Sequence, residues 1–157
     1  MRKEFAAVLY NLMKKHENIV LLTGDLGYGM LDRIRMDFPD RFINVKSCEQ
    51  LLIGAGVGLT YTGKIPVCYS ISPFLLYRPF EMIRNYVNHE KAPVKLIGGG
   101  RDTDYSHDGF THHAEDDLQA LSHFENITKV KQDVFDEAEI ERHILSPDPV
   151  YINLRRF

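Results

Sequence analysis

Ile19-Val20-Leu21-Leu22-Thr23 runs directly into Gly24-Asp25-Leu26-Gly27-Tyr28-Gly29, and that junction decides the fold. A short apolar run without polar alternation suits a strand covered on both faces, as in parallel sheets. The glycines after it end the strand in a loop. Upstream, Phe5, Val8, Leu9, Leu12 and Met13 recur at helical spacing, so residues 2–16 read as an amphipathic helix. Downstream the alternation continues. The pattern predicts a short helix over Leu31–Asp37, a strand over Phe42–Val45, a helix over Glu49–Thr62 and a strand over Pro66–Ser70. A long helix over Phe74–Asn88 follows, then a strand over Val94–Ile97 and a polar loop reaching Glu115. Asp116–Leu121 reads as a short helix, Ile127–Val130 as a strand, Asp133–Leu145 as an acid-started helix and Val150–Leu154 as the last strand.

This order predicts one α/β domain over residues 1–157, with three layers, a mainly parallel sheet of about six strands, and helices on both faces. In such sheets ligands bind beyond the carboxyl ends of the strands. The loops after Thr23, Val45, Ser70 and Ile97 should therefore crowd one edge.

Composition narrows the function classes. The 157 residues carry a formal net charge of −3, which offers no basic field for a nucleic-acid backbone. No apolar run approaches the ~20 residues that cross a bilayer. The N-terminus enters its helix with no signal-peptide pattern, and two isolated cysteines, Cys48 and Cys68, make no disulfide framework or zinc knuckle. A reduced, cytoplasmic compartment is expected.

Each motif has a plain reading beside a chemical one. Gly24–Gly29 is either a strand-to-helix turn or a phosphate-cradling loop. Glu49 in Ser47-Cys48-Glu49-Gln50 either favours the positive end of a helix or supplies a working carboxylate. Phe74, Tyr77 and Phe80 are spaced as core or as the wall of a cofactor pocket. The run from Asp108 to Asp116 is a solvated loop, an acid–base or substrate loop, or a metal site, although its spacing matches no standard zinc motif. Gly54, Ala55, Gly56 and Gly58 make the third helix rich in small residues, which suggests another backbone passing close by.

The order of these motifs is similar to the pyrimidine-binding domain of transketolases. The resemblance runs through the strand with Gly24-Asp25-Leu26, Arg41-Phe42-Ile43-Asn44-Val45 leading to Glu49-Gln50, and Gly54-Ala55-Gly56-Val57-Gly58-Leu59. It continues through Gly63-Lys64-Ile65-Pro66-Val67 and Phe74-Leu75-Leu76-Tyr77-Arg78-Pro79-Phe80. It closes on Asp108-Gly109-Phe110-Thr111-His112-His113-Ala114-Glu115, where the family has a DG-x-TH-x-x-E run. Deoxyxylulose-phosphate synthases and dehydrogenase E1 β-subunits share parts of it.

The resemblance implies a thiamine diphosphate enzyme that transfers a two-carbon ketol unit. It implies that Glu49 hydrogen-bonds the aminopyrimidine ring nitrogen and favours the imino tautomer, which then takes the thiazolium C2 proton. Such a carboxyl works best with its pKa above the ~4.3 of free glutamate, which burial at a subunit interface would supply. Phe74, Tyr77 and Phe80 become the stacking wall for the pyrimidine, and Asp25 an acidic residue near the cofactor. Asp108 and His112 become sugar contacts, with His112 also assisting proton transfer. Arg2 and Arg155 become phosphate-gripping guanidinium groups.

The family's diphosphate domain, which holds Mg²⁺, has no counterpart here. The expectation is therefore a split enzyme: a partner chain closes the site, in a heterotetramer acting on a sugar or sugar phosphate. Gly29-Met30 and Gly100 replace a phosphate-contacting serine and a substrate histidine of many transketolases, so the acceptor need not be a common pentose phosphate. The alternatives are another thiamine diphosphate reaction (2-oxo acid decarboxylation, deoxyxylulose-phosphate-synthase-like or E1 β-like), a non-catalytic assembly partner, or a metal hydrolase using His107, His112 and His113.

Overall fold

All six strands pair in parallel, in the order β2-β1-β3-β4-β6-β5, in a computed structural model that describes residues 1–157. They are β1 (Ile19–Thr23), β2 (Phe42–Asn44), β3 (Ile65–Ile71), β4 (Lys95–Gly99), β5 (Thr128–Lys131) and β6 (Val150–Leu154). The sheet expected to be mainly parallel is wholly so. Every residue of β1, β4 and β6 is buried, Lys95 and Asn153 included, as in strands covered on both faces.

Side-chain alternation divides the core in two. Ile19 and Leu21 of β1 face a cluster with Phe5, Leu9, Leu12, Ile34, Ile140 and Ile144. These come from α1 (Arg2–Lys15), α2 (Asp32–Asp37) and α7 (Glu137–Leu145). Val20 and Leu22 face the other cluster, with Leu52 and Ile53 of α3 (Glu49–Thr60) and Leu75 and Leu76 of α4 (Ser72–Tyr77). Leu22, Cys68, Leu96 and Tyr151 line up across four strands on that second face. Fully burying one such leucine or isoleucine contributes about 1.5–3 kcal/mol, and a one-residue slip would turn the row to the wrong side.

The long helix expected over Phe74–Asn88 is broken. Pro79 has no N–H to continue the ladder, so α4 ends at Tyr77, and the chain restarts in a single turn, α5 (Phe80–Met82). It then widens into a π-helical stretch over Ile83–His89, where Glu90 N–H reaches back to Asn85 O at 3.1 Å. The helix expected to start at Asp133 starts four residues later, because the Asp136 carboxylate accepts the Glu139 N–H at 3.0 Å and caps it. The remaining short helix, α6, covers Asp117–Ala120.

The α3 glycines answer to side chains rather than to a passing backbone. A Cβ on Gly56 would lie 2.8 Å from Cys68 Sγ, and one on Gly54 3.0 Å from Met82. Gly58 has nothing within 4 Å and opens outward.

Candidate active site

The carboxyl ends of the strands gather the expected loops at one edge. Gly24 N–H donates to Tyr69 O at 3.2 Å, joining the ends of β1 and β3. Ser72 Oγ donates to Gly100 O at 2.7 Å, joining the ends of β3 and β4. Asn44 Nδ2 donates to Asp25 Oδ1 at 2.9 Å, joining the ends of β1 and β2. Asp25 and Lys46 both adopt positive φ, 63° and 61°, so the two loops are bent hard to meet.

Glu49 lies at the centre of this edge. It is the first residue of α3 and only 2% exposed. Its Oε1 accepts from Ser70 Oγ at 3.4 Å, and its Oε2 accepts from Arg78 Nη1 at 2.9 Å. Gly24 stands beside it: a Cβ there would lie 3.3 Å from Ser70 Oγ and 3.5 Å from Glu49 Oε1. A side chain at Gly24 would therefore crowd Ser70, the hydroxyl that donates to Glu49. The Arg78 contact spans 29 residues of sequence and had no signal there beyond an arginine flanked by aromatics.

The three aromatics expected to form one wall are separated. Phe74 is half-buried, with the Arg78 guanidinium carbon 3.7 Å from its ring centroid and the His112 ring edge-on at 4.8 Å. Tyr77 points toward the Asp108–Asp116 loop, where desolvation and the Asp116 carboxylate push its phenol well above the ordinary tyrosine range. Phe80, carried past the Pro79 break, packs on Phe124 at 5.2 Å. Of the three, Phe74 is joined to Glu49 through Arg78.

The loop from Gly100 to Glu115 is held from beneath by Arg101, which is fully buried. Arg101 donates to Asn153 Oδ1 and O, to Gln132 O and to Asp133. His112 thereby reaches Phe74, while Asp108 pairs with His107 Nε2 at 3.2 Å. His107, His112 and His113 take part in no group of three or more His, Cys, Asp or Glu side chains that could hold a metal ion.

Asp25 is held below the usual carboxylate range by hydrogen bonds from Tyr28 and Asn44 and by Lys46. The basic side chains gather differently from expectation. Arg2 donates to Tyr105 Oη at 2.8 Å and to Arg156 O at 3.1 Å, and the Arg156 guanidinium covers the Tyr105 ring at 4.7 Å. Arg155 turns instead to Asp102 and Asp104, at 3.6 and 3.8 Å. The missed members are Arg156 and Tyr105. A cleft of about 730 Å³ is bordered by Arg2, Lys3, Tyr28 and Arg156, and Glu49 does not line it. No helix is long and apolar enough to cross a membrane.

Comparison with known proteins agrees with this fold. A transketolase-family protein of Methanocaldococcus jannaschii, assigned as a transketolase C-terminal section, is 33% identical over 159 residues, covering 99% of this chain and 50% of that one. One of the subunits of the apulose-4-phosphate transketolase of Actinobacillus succinogenes is 35% identical over 120 residues, covering 75% of this chain and 39% of that one. The chain thus spans half or less of the relatives it matches. Among solved structures, a split gene transketolase in an inactive β4 tetramer superposes with a TM-score of 0.82 at 29% identity, covering 99% of this chain and 51% of that one. The family model described as transketolase, pyrimidine binding domain, matches residues 1–156, and the chain belongs to that family.

Proposed function

We propose that this chain is the pyrimidine-side subunit of a two-chain, cytoplasmic transketolase-type enzyme of carbohydrate metabolism. It moves a two-carbon ketol unit between sugar or sugar phosphate substrates with thiamine diphosphate. The observation that carries the reading is the buried Glu49 carboxylate at the start of α3, beside Gly24 at the carboxyl edge of the sheet. A carboxylate that accepts from a ring-protonated aminopyrimidine, with an aromatic face nearby, matches what that ring needs, so the residues present fit the group. The cofactor supplies the stabilised carbanion chemistry.

This chain's residues do the rest. Glu49 holds a proton at the pyrimidine ring nitrogen. Phe74 offers a flat apolar face, with Tyr77 and Phe80 further along the same segment, and Asp25 supplies negative charge at the neighbouring loop. Asp108 and His112 bind substrate hydroxyls on the loop that Arg101 braces, and His112 assists proton transfer. Arg2 and Arg155 meet a phosphate, with Arg155 released from Asp102 and Asp104. A partner chain holds the diphosphate and Mg²⁺, in a heterotetramer whose interface includes the outward side of α3 at Leu51 and Gly58, and Tyr61 just past its end. The names of the two relatives, one a C-terminal section and the other a single subunit of its enzyme, support a divided arrangement.

The test is reconstitution. The chain is mixed with a partner that carries the diphosphate domain, and thiamine diphosphate binding is followed by calorimetry. Much tighter binding in the mixture than by either chain alone is the expected result. Tight binding by this chain alone would overturn the divided arrangement.

A further inference from the structure

We propose that Arg78 is an intramolecular stand-in for the cofactor's aminopyrimidine, seated on Glu49 and Phe74 until the cofactor displaces it. This rests on the reading of Glu49 given above and concerns what occupies that carboxylate beforehand.

Two contacts coincide. Arg78 Nη1 donates to Glu49 Oε2 at 2.9 Å, and the guanidinium carbon lies 3.7 Å from the Phe74 centroid. A guanidinium and a ring-protonated aminopyrimidine share the features such a site reads. Both are flat and delocalised, carry positive charge, and present N–H donors in their plane. A carboxylate with an aromatic face beside it recognises either. At 3.7 Å the guanidinium is in van der Waals contact with the ring, so no second ring fits between them on that face.

The exposures differ in the direction a displaceable group requires. Glu49 is 2% exposed, while the Arg78 side chain is 42% exposed at the end of α4, just before the Pro79 break. The carboxylate is fixed and the arginine has a way out. Arg78 also gives the buried charge of Glu49 a partner in the chain by itself, where an unpaired buried carboxylate would be strongly destabilising.

A competitor inside the protein lowers apparent affinity by the fraction of molecules with the site free. If about nine molecules in ten are latched, removing Arg78 tightens binding about tenfold. The probe is 4-amino-5-hydroxymethyl-2-methylpyrimidine, the cofactor's ring without its diphosphate, so the intact chain is tested directly by calorimetry and NMR. Arg78→Ala should bind the probe about tenfold more tightly than the unaltered chain. Arg78→Met keeps the apolar stem and should show the same gain should Arg78→Ala fail to fold. Binding no tighter in the folded variant, undetectable binding in both proteins included, overturns the proposal.

Glu49→Gln combined with Arg78→Ala separates this claim from the one beneath it. Retained tight binding in the double variant would sink Glu49 as the pyrimidine's partner. Equal, Glu49-dependent binding with and without Arg78 would sink the stand-in alone.

Discussion

Gly100 and Tyr105 compete for one volume: a Cβ on Gly100 would overlap the Tyr105 ring, and Gly100 holds φ at +89°. By its sequence resemblance, this glycine stands in place of a substrate histidine of many transketolases. Tyr105 fills the space beside it and takes a hydrogen bond from Arg2. A histidine at 100 is therefore incompatible with Tyr105 as placed, and this edge of the site is built around a phenol.

The first expected outcome follows directly. Gly100→Ala combines left-handed backbone strain with overpacking, costing about 2–4 kcal/mol. Adding Tyr105→Ala removes the collision but not the strain, so the double variant should recover about half of that loss. Urea denaturation of the single and double variants measures the coupling. Strict additivity would mean that the two residues do not share the space.

Arg101 is the brace of the loop that carries Asp108 and His112. Arg101→Met leaves the carbonyls of Gln132 and Asn153 without their buried donor and should cost about 3 kcal/mol or more. Arg101→Lys should recover little, because an ammonium cannot span the same acceptors. Hydrogen exchange should show faster opening of residues 100–115 in both variants, with the β1 core protected until global unfolding.

Lys95 gives the protein a pH signature. It is fully buried at the start of β4, and its ammonium donates to the carbonyls of Ser146 and Asp148. Desolvation pushes it from 10.5 down to about 8. Above about pH 8 the folded protein releases this proton while the unfolded chain keeps it to about 10.5, so the unfolded state binds more protons and stability rises through that window. Cys68, Tyr69 and Tyr151 act oppositely, because burial raises all three and the unfolded chain ionises first as pH climbs past their ordinary values. The clean measurement is the stability difference between the protein and Lys95→Met, which cancels the thiol and phenols. It should move in favour of the unaltered protein by about 2–3 kcal/mol from pH 8 to 10.5. A flat difference would mean that Lys95 keeps its ordinary affinity for protons.

Much of this was legible in the sequence because burial writes itself into composition. β1 and β6 fall on the expected residues, since strands buried on both faces leave short, mostly apolar runs. Glu49 opens α3 as expected, with Ser47-Cys48 just before it and an acidic residue suiting a helix's first turn. What was not legible depends on the third dimension. By sequence Pro79 reads as a tolerated early residue of a long helix; in the fold it divides the segment and sends Phe80 to Phe124, away from Phe74. Arg101 follows three glycines and looks like a solvated loop residue, yet the turn of Gly100 aims it under the sheet edge. Arg78 reaches Glu49 only because β3 and α4 carry it there, and no local pattern encodes that distance.

The central claim is that the Glu49 carboxyl meets the cofactor's pyrimidine and controls its proton. Deuterium exchange at the thiazolium C2 of thiamine diphosphate, followed by quenched NMR in the assembled two-chain enzyme, reads this before any sugar is added. With Glu49→Gln the exchange should slow by about 10²–10⁴-fold while the cofactor stays bound. Exchange as fast as in the unaltered enzyme, with cofactor occupancy confirmed, would contradict the account.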